Sequence, residues 1–285
     1  MPTCTDLLVP KDLTVWDWLF DSKHSPLQKH ADSDLAGYTN AVTKERLNWK
    51  QVKEATTHLS TTLVKKYGLK QGQTVALFSQ NSIWYPIAMF GTLRVGGVVS
   101  GASPAYNVEE MTYALKTGQA KFLMTHPNSM EVATAAAKNV GIPKENLFLL
   151  EGEMDGYTTI KELIAMGKKY GEQDQTPAFK IPKGKTNFDV CGFLSFSSGT
   201  TGLPKAVSLP SCFEYRKLIV LGHDRSPERY SAMPASPADH TCHSSQDPCG
   251  IAPIPHHRSG PRSPLTGLDQ CRSDHGTCLY HEINA

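Results

Sequence analysis

The chain has 285 residues, 39% of them hydrophobic, and a formal net charge of +2. That length allows one large domain or two ordinary ones, each with a sizeable core. The near-neutral balance provides no global field for nucleic acid or an anionic membrane surface. The seven cysteines lack the paired spacing of a disulfide framework, and the opening MPTCTDLLVPKDL lacks the basic-then-apolar run of a secretory leader. A reducing, cytoplasmic setting is therefore expected.

In chain order, the first strong element is NWKQVKEATTHLSTTLVKKYG, with Val52, Ala55, Leu59 and Leu63 at helical spacing. Asn48 is its candidate cap and Gly68 its stop. TVALFS (74–79) predicts a short buried strand. The apolar stretch IWYPIAMFGTLRVGGVVSGA (83–102) raises a membrane question, but Arg94 and the internal glycines argue against a span. A buried helix from about Ser82 to Leu93, then a strand GVVSGA, is the better reading. Asn107 followed by Glu110 makes a capping-box start for VEEMTYALKT, ending at Gly118. KFLMT (121–125), a helix around SMEVATAAAKNVG, and NLFLL (146–150) complete another strand–helix–strand unit. Thr158 or Thr159 can cap the helix that follows, and FDVCGFLSF (188–196) is a final strand. Strands alternating with helices of this length predict an α/β fold, a mostly parallel sheet flanked by helices. In such sheets ligands bind beyond the carboxyl ends of the strands.

Residues 210–285 break this pattern. They hold nine of the 19 prolines, seven of the 11 histidines and five of the seven cysteines, while Leu, Ile, Val and Phe supply only 11 residues, too few for a core. The basic residues switch from 20 Lys and two Arg before the boundary to one Lys and six Arg after it. One reading is a disordered, low-hydrophobicity tail. The other is a segment translated from a different reading frame or from retained non-coding sequence. The abrupt change in residue usage favours the second.

Between the two regions lies SFSSGTTGLPKAVSLPS (195–211). From Gly199 it nearly fits the phosphate-loop pattern G-x-x-x-x-G-K-[ST], but Pro204 replaces the second required Gly and Ala206 follows the lysine. Small residues let backbone N–H groups converge on polyphosphate oxygens, hydroxyls add donors, and Lys205 adds a mobile positive charge. A buried strand leading straight into the loop, and a proline stiffening its exit, count against a mere linker.

LSFSSGTTGLPK, Leu194 to Lys205, resembles the signature of the adenylate-forming AMP-binding superfamily, and every restricted position of that signature is present. The superfamily includes acyl-CoA synthetases, 4-coumarate–CoA ligases, luciferases and peptide-synthetase adenylation domains. LTVWDWLFDS, GLKQGQTVALFSQNS and the stretch from Gly91 to Thr125 are similar to the opening of fungal-type 4-coumarate–CoA ligase-like or acyl-CoA synthetase chains. Ser103–Tyr106 followed by the Asn107–Glu110 box fits a pattern common there. The resemblance covers residues 12 to about 207, roughly the first third to two-fifths of a typical member. It implies a partial N-terminal lobe of an acyl-CoA synthetase-like fold over 1–209, followed by an irregular tail over 210–285. It also implies ATP and Mg²⁺, with a small-molecule carboxylic acid and coenzyme A as co-substrates. By position, Ser197, Ser198, Thr200 and Thr201 would donate hydroxyls to the phosphates, Gly199 and Gly202 would admit the backbone, and Lys205 would sit near the departing pyrophosphate.

Beyond Leu209 the family pattern stops. No Tyr-Gly-x-Thr-Glu, Thr-Gly-Asp, hinge Arg or adenylation lysine segment follows, and no Ser-Lys-Leu ending is present. PIPHHRSG (253–260) lacks the aromatics of the family segment it faintly echoes. This chain alone is therefore expected not to form acyl-CoA, and no catalytic residue is assigned. An alternative is a non-catalytic interaction protein that pairs with a full-length homologue, or aggregates through exposed strand edges. A remoter one is zinc binding by Cys242, His243, Cys249, His256, His257, Cys271, His275 and Cys278, whose spacing departs from structural zinc sites. The four tryptophans are expected in the core, Cys191 as a small buried hydrophobe, and His126 as a surface-loop residue in preference to a pocket residue.

Overall fold

The computed structural model describes residues 10–23, 25, 27, 37–197 and 205–210. From Tyr38 onward the elements are β1 (Tyr38–Thr39), β2 (Arg46–Leu47), α1 (Trp49–Lys65), β3 (Thr74–Phe78), α2 (Tyr85–Arg94) and β4 (Val98–Ala102). There follow α3 (Val108–Thr117), β5 (Ala120–Thr125), α4 (Met130–Val140), β6 (Leu147–Leu149), β7 (Thr158–Thr159), α5 (Ile160–Lys168), β8 (Cys191–Ser197) and β9 (Lys205–Pro210). β1 and β2 form a separate antiparallel ribbon. The other seven strands form one sheet, ordered β7-β6-β5-β3-β4-β8-β9, parallel everywhere except at β9. This is the α/β architecture the strand–helix alternation predicts.

Local chemistry starts the helices where the sequence expects. Asn48 accepts from the Gln51 N–H and the Gln51 side chain accepts from the Asn48 N–H, each at 2.9 Å; Asn107 and Glu110 do the same at 2.9 Å each. Thr159, not Thr158, caps α5, paired reciprocally with Glu162. Each box satisfies two backbone donors that a helix start otherwise leaves unpaired. α4 stops at Gly141, whose φ of 77° suits a residue without a Cβ.

Both faces of the sheet are covered. Val75 and Leu77 of β3 pack in one cluster with Leu59, Leu63, Ile87 and Leu163 of α1, α2 and α5. Ala76 and Phe78, on the opposite face, join Met111, Leu115, Ala133 and Ala137 of α3 and α4. All five residues of β3 are buried, the mark of a strand covered on both sides. α1 and α5 cross so closely that a Cβ on Gly167 would lie 1.9 Å from the His58 carbonyl oxygen.

The 83–102 stretch folds as α2 followed by β4, and among the described residues no helix is long and apolar enough to cross a membrane. Arg94 is buried inside the structure. Its Nη1 donates to Ser60 Oγ at 2.9 Å and to the Thr176 carbonyl at 2.7 Å, and its guanidinium lies 5.3 Å from the Trp16 ring centre. Burial pulls its pKa down, and Asp21 partly opposes that. Trp16 in turn donates to Asp21 at 2.7 Å, and Asp17 pairs with Lys180. Trp16, Trp18 and Trp84 are buried, and Trp49 packs against the same core.

Several strand ends shift by a residue, and three departures from expectation are larger. α2 begins at Tyr85 instead of Ser82, because Ser82 folds a turn that takes the N–H groups of Trp84 and Tyr85. Pro86 then falls in the first helical turn, where its missing N–H costs nothing. β8 begins at Cys191 instead of Phe188, because Thr186 and Asp189 close a turn: Thr186 N–H donates to the Asp189 carboxylate at 2.7 Å and Asp189 N–H returns to the Thr186 carbonyl. The third difference is β9 itself, an edge strand ending in Pro210, a residue the edge tolerates.

Candidate functional site

Five parallel strands, β3 to β6 and β8, end at one edge of the sheet. The connection from β3 runs through α2 on one face and that from β4 through α3 on the other. Adjacent strands leaving toward opposite faces open a crevice at their carboxyl ends. β8 lies next to β4, with Val99 paired to Phe193 and Ser100 to Leu194. β9 returns antiparallel, and the hairpin closes on the pair Ser197–Lys205.

Two of the seven predicted phosphate-site residues are therefore brought together: Ser197 ends β8 and Lys205, exposed, begins β9 directly opposite. Ala206 beside it is buried and fixes the strand. Ser198, Gly199, Thr200, Thr201 and Gly202 lie outside the described residues, as do the Cys and His residues of 210–285. At the base of the hairpin Cys191 is half-buried and accepts from Ser208 Oγ at 3.1 Å. Burial pushes its thiol pKa up, with the Ser208 hydrogen bond opposing. A raised thiol pKa is the opposite of what a nucleophile needs.

A larger concavity, about 860 Å³, lies farther along the same edge. His126 follows β5 directly and Glu151 follows Leu150 beyond β6; both are partly buried and line it. His126 Nε2 is 3.8 Å from Glu151 Oε2. Lys161 also lines it, its ammonium 5.1 Å from the Trp84 ring centre and 3.4 Å from Glu45. His126 is thus a cleft residue, contrary to the surface-loop expectation. The available signal was its place one residue past a parallel strand, with Glu151 two residues past the next one. Among the described residues no group of three or more His, Cys, Asp or Glu could hold a metal ion.

The profile of the family described as AMP-binding enzyme matches residues 27–212. Acyl-CoA ligase azaF of Aspergillus niger is 33% identical over 202 residues, covering 69% of this chain and 36% of the relative. Phenylacetyl-CoA ligase epaB of Aspergillus niger is 32% identical over 202 residues, with the same coverage. 4-Coumarate–CoA ligase 1 of Petroselinum crispum is 28% identical over 206 residues, covering 72% of this chain and 34% of the relative. The chain thus spans about a third of the length of the curated relatives it matches. Among solved structures, a red-emitting luciferase from Phrixothrix hirtus superposes with a TM-score of 0.60 at 19% identity, over 76% of this chain and 38% of that one. An anthranilate CoA ligase in complex with anthranoyl-AMP gives 0.56 at 20% identity, over 71% and 36%. These two likenesses establish the fold.

Proposed function

Because the chain belongs to the AMP-binding enzyme family, we propose that it carries the triphosphate-gripping part of an ATP-dependent, AMP-forming carboxylate–CoA ligase. The observation that carries this reading is the hairpin closure: Ser197 and Lys205 are paired at the carboxyl edge of a parallel sheet. The signature residues Ser198 to Pro204 lie between them in the chain. The names of the relatives, acyl-CoA and 4-coumarate–CoA ligases, support the reaction class.

In that reaction a carboxylate attacks the α-phosphorus of ATP and pyrophosphate leaves; the thiol of coenzyme A then displaces AMP from the acyl-adenylate. Negative charge grows on the departing pyrophosphate, and fixed donors aimed at it lower the barrier. Ser197, Ser198, Thr200 and Thr201 supply hydroxyl donors, Gly199 and Gly202 let backbone N–H groups approach, and Lys205 adds a full positive charge. Mg²⁺ would help to neutralise charge along the triphosphate; among the described residues no group of three or more His, Cys, Asp or Glu could hold it.

Adenine, ribose and adenylation-lysine contacts are not among the motifs of this sequence. Loss of one preorganised donor costs on the order of 10²–10³ in rate, so the 285-residue chain by itself binds the triphosphate without turning it over. Isothermal titration should detect ATP binding that Lys205→Ala weakens at least about tenfold, while ATP–pyrophosphate exchange stays at background. Exchange above background that disappears in Lys205→Ala would refute the inactivity, and ATP binding indifferent to Lys205 would refute the phosphate site.

A further inference from the structure

We infer that the amino edge of the sheet carries a small-molecule pocket at the base of the β8–β9 hairpin. Its occupant is a compact, uncharged molecule with an apolar body and one hydrogen-bonding group. A concavity of about 320 Å³ lies there, at the end of β8 opposite the Ser197–Lys205 closure. That volume falls within the range of small-ligand sites. The wall is composite: Val98 and Cys191 begin β4 and β8, Thr117 ends α3, and Ser208 belongs to β9.

Two observations say what fits. The first is Thr117, which is 6% exposed and whose hydroxyl has no hydrogen-bond partner among the described residues. A threonine inside a helix commonly returns its hydroxyl to the carbonyl one turn back, as Thr92 does to Ala88 at 2.9 Å. Thr117 does not, and a buried hydroxyl left unpaired is a standing cost that a ligand group can remove. The second observation is charge. Among the lining residues only Lys121 carries a full charge at neutral pH, and it is exposed. The carbonyl end of α3, at Thr117, contributes partial charge of the opposite sign. The Cys191 thiol, its pKa pushed up by burial, stays neutral. An ion would shed its water here without a full counter-charge, whereas buried Val98 and Leu194 give an uncharged body an apolar wall. The occupant also bridges two parts of the sheet. Val98 and Thr117 belong to its covered centre, Cys191 and Ser208 to the hairpin, so binding stabilises the arrangement that holds them together.

The test is methyl-detected NMR of the full-length chain titrated with benzyl alcohol, an apolar ring bearing one hydroxyl. Toluene, benzoate and benzylamine serve as its apolar and charged counterparts. Benzyl alcohol is expected to shift the Val98 and Leu194 methyl resonances saturably, and about tenfold more tightly than any of the three. Thr117→Val keeps the side-chain shape and removes the hydroxyl, so it should erase the margin over toluene while the rest of the spectrum stays in place. Iodoacetamide labelling of Cys191, read by peptide mass spectrometry, should slow in the native chain when benzyl alcohol saturates. Methyl resonances that benzyl alcohol leaves unmoved, benzoate or benzylamine binding as tightly, or a margin over toluene that survives in Thr117→Val would each overturn the assignment.

Discussion

β3 and β8 are neighbours once removed in the same sheet, yet they are held in different ways. β3 is paired along its whole length, from Thr74 to Phe78, with β4 on one side and β5 on the other, and every residue is buried. β8 touches β4 through only two register pairs, while its pairing with β9 runs from Cys191 to Ser197. Phe193 and Phe196 are half-buried and Ser195 is exposed. The centre of the sheet is thus covered on both faces, and the hairpin is its less buried margin. Segments that must adapt to a ligand are drawn from the less stable parts of a fold, and the phosphate-loop signature stands on that margin.

The comparison breaks most easily in the core. Phe148 is fully buried against Tyr67 and Phe122, and Phe148→Ala should cost about 4 kcal/mol of unfolding free energy. Phe193→Ala, on half-buried β8, should cost about half as much, ~2 kcal/mol, by the same accounting. Urea unfolding of the two variants checks the ratio, and equal losses would mean the hairpin is as integral as the core. Gly167→Ala falls between the two, at about 3 kcal/mol, because its methyl group meets the His58 carbonyl and the α1–α5 crossing must open. A near-neutral Gly167→Ala would show that the crossing yields freely.

The smallest effect is alkaline and belongs to the hairpin. The Cys191 thiol pKa is raised by burial, so the folded hairpin favours the neutral thiol. That contribution is full below the ordinary thiol value, ~8.5, and fades as pH rises past it. Relative to Cys191→Ala, the native chain should lose stability between pH 7 and about pH 9.5. Peptide-resolved alkylation should also find Cys191 slower than a free thiol at neutral pH. Fast labelling at pH 7 would contradict its burial.

Much of the scaffold was legible because its signals are local. The Asn107–Glu110 box, the buried run TVALF and the stop at Gly118 act within a few residues and need no distant partner. Arg94 was legible as an argument against a membrane span, but its partners Ser60, Thr176 and Trp16 come from remote parts of the chain. The helical turns around Trp16–Asp21 and the two-residue strands β1 and β2 were missed, being too short to show a period. β9 was missed because an edge strand with one buried residue, Ala206, has no hydrophobic run to betray it. At the site, the signature supplied the residue list from Ser197 to Lys205, and the register supplied the closure. The His126–Glu151 pair belongs to neither, since only the sheet order brings the exits of β5 and β6 side by side.

The Ser197–Lys205 pair also sets how freely the signature can vary in length. Because the strands on either side meet through their own ladder, the seven intervening residues do not have to close the loop themselves. Doubling a loop of this kind adds only about 0.6 kcal/mol of closure entropy. Folding therefore exerts little selection on the number of residues between the two strands. A library of glycine insertions at the hairpin tip would separate the two demands: chains with longer tips should still melt normally, and any narrow optimum in nucleotide affinity would measure the span of the triphosphate itself.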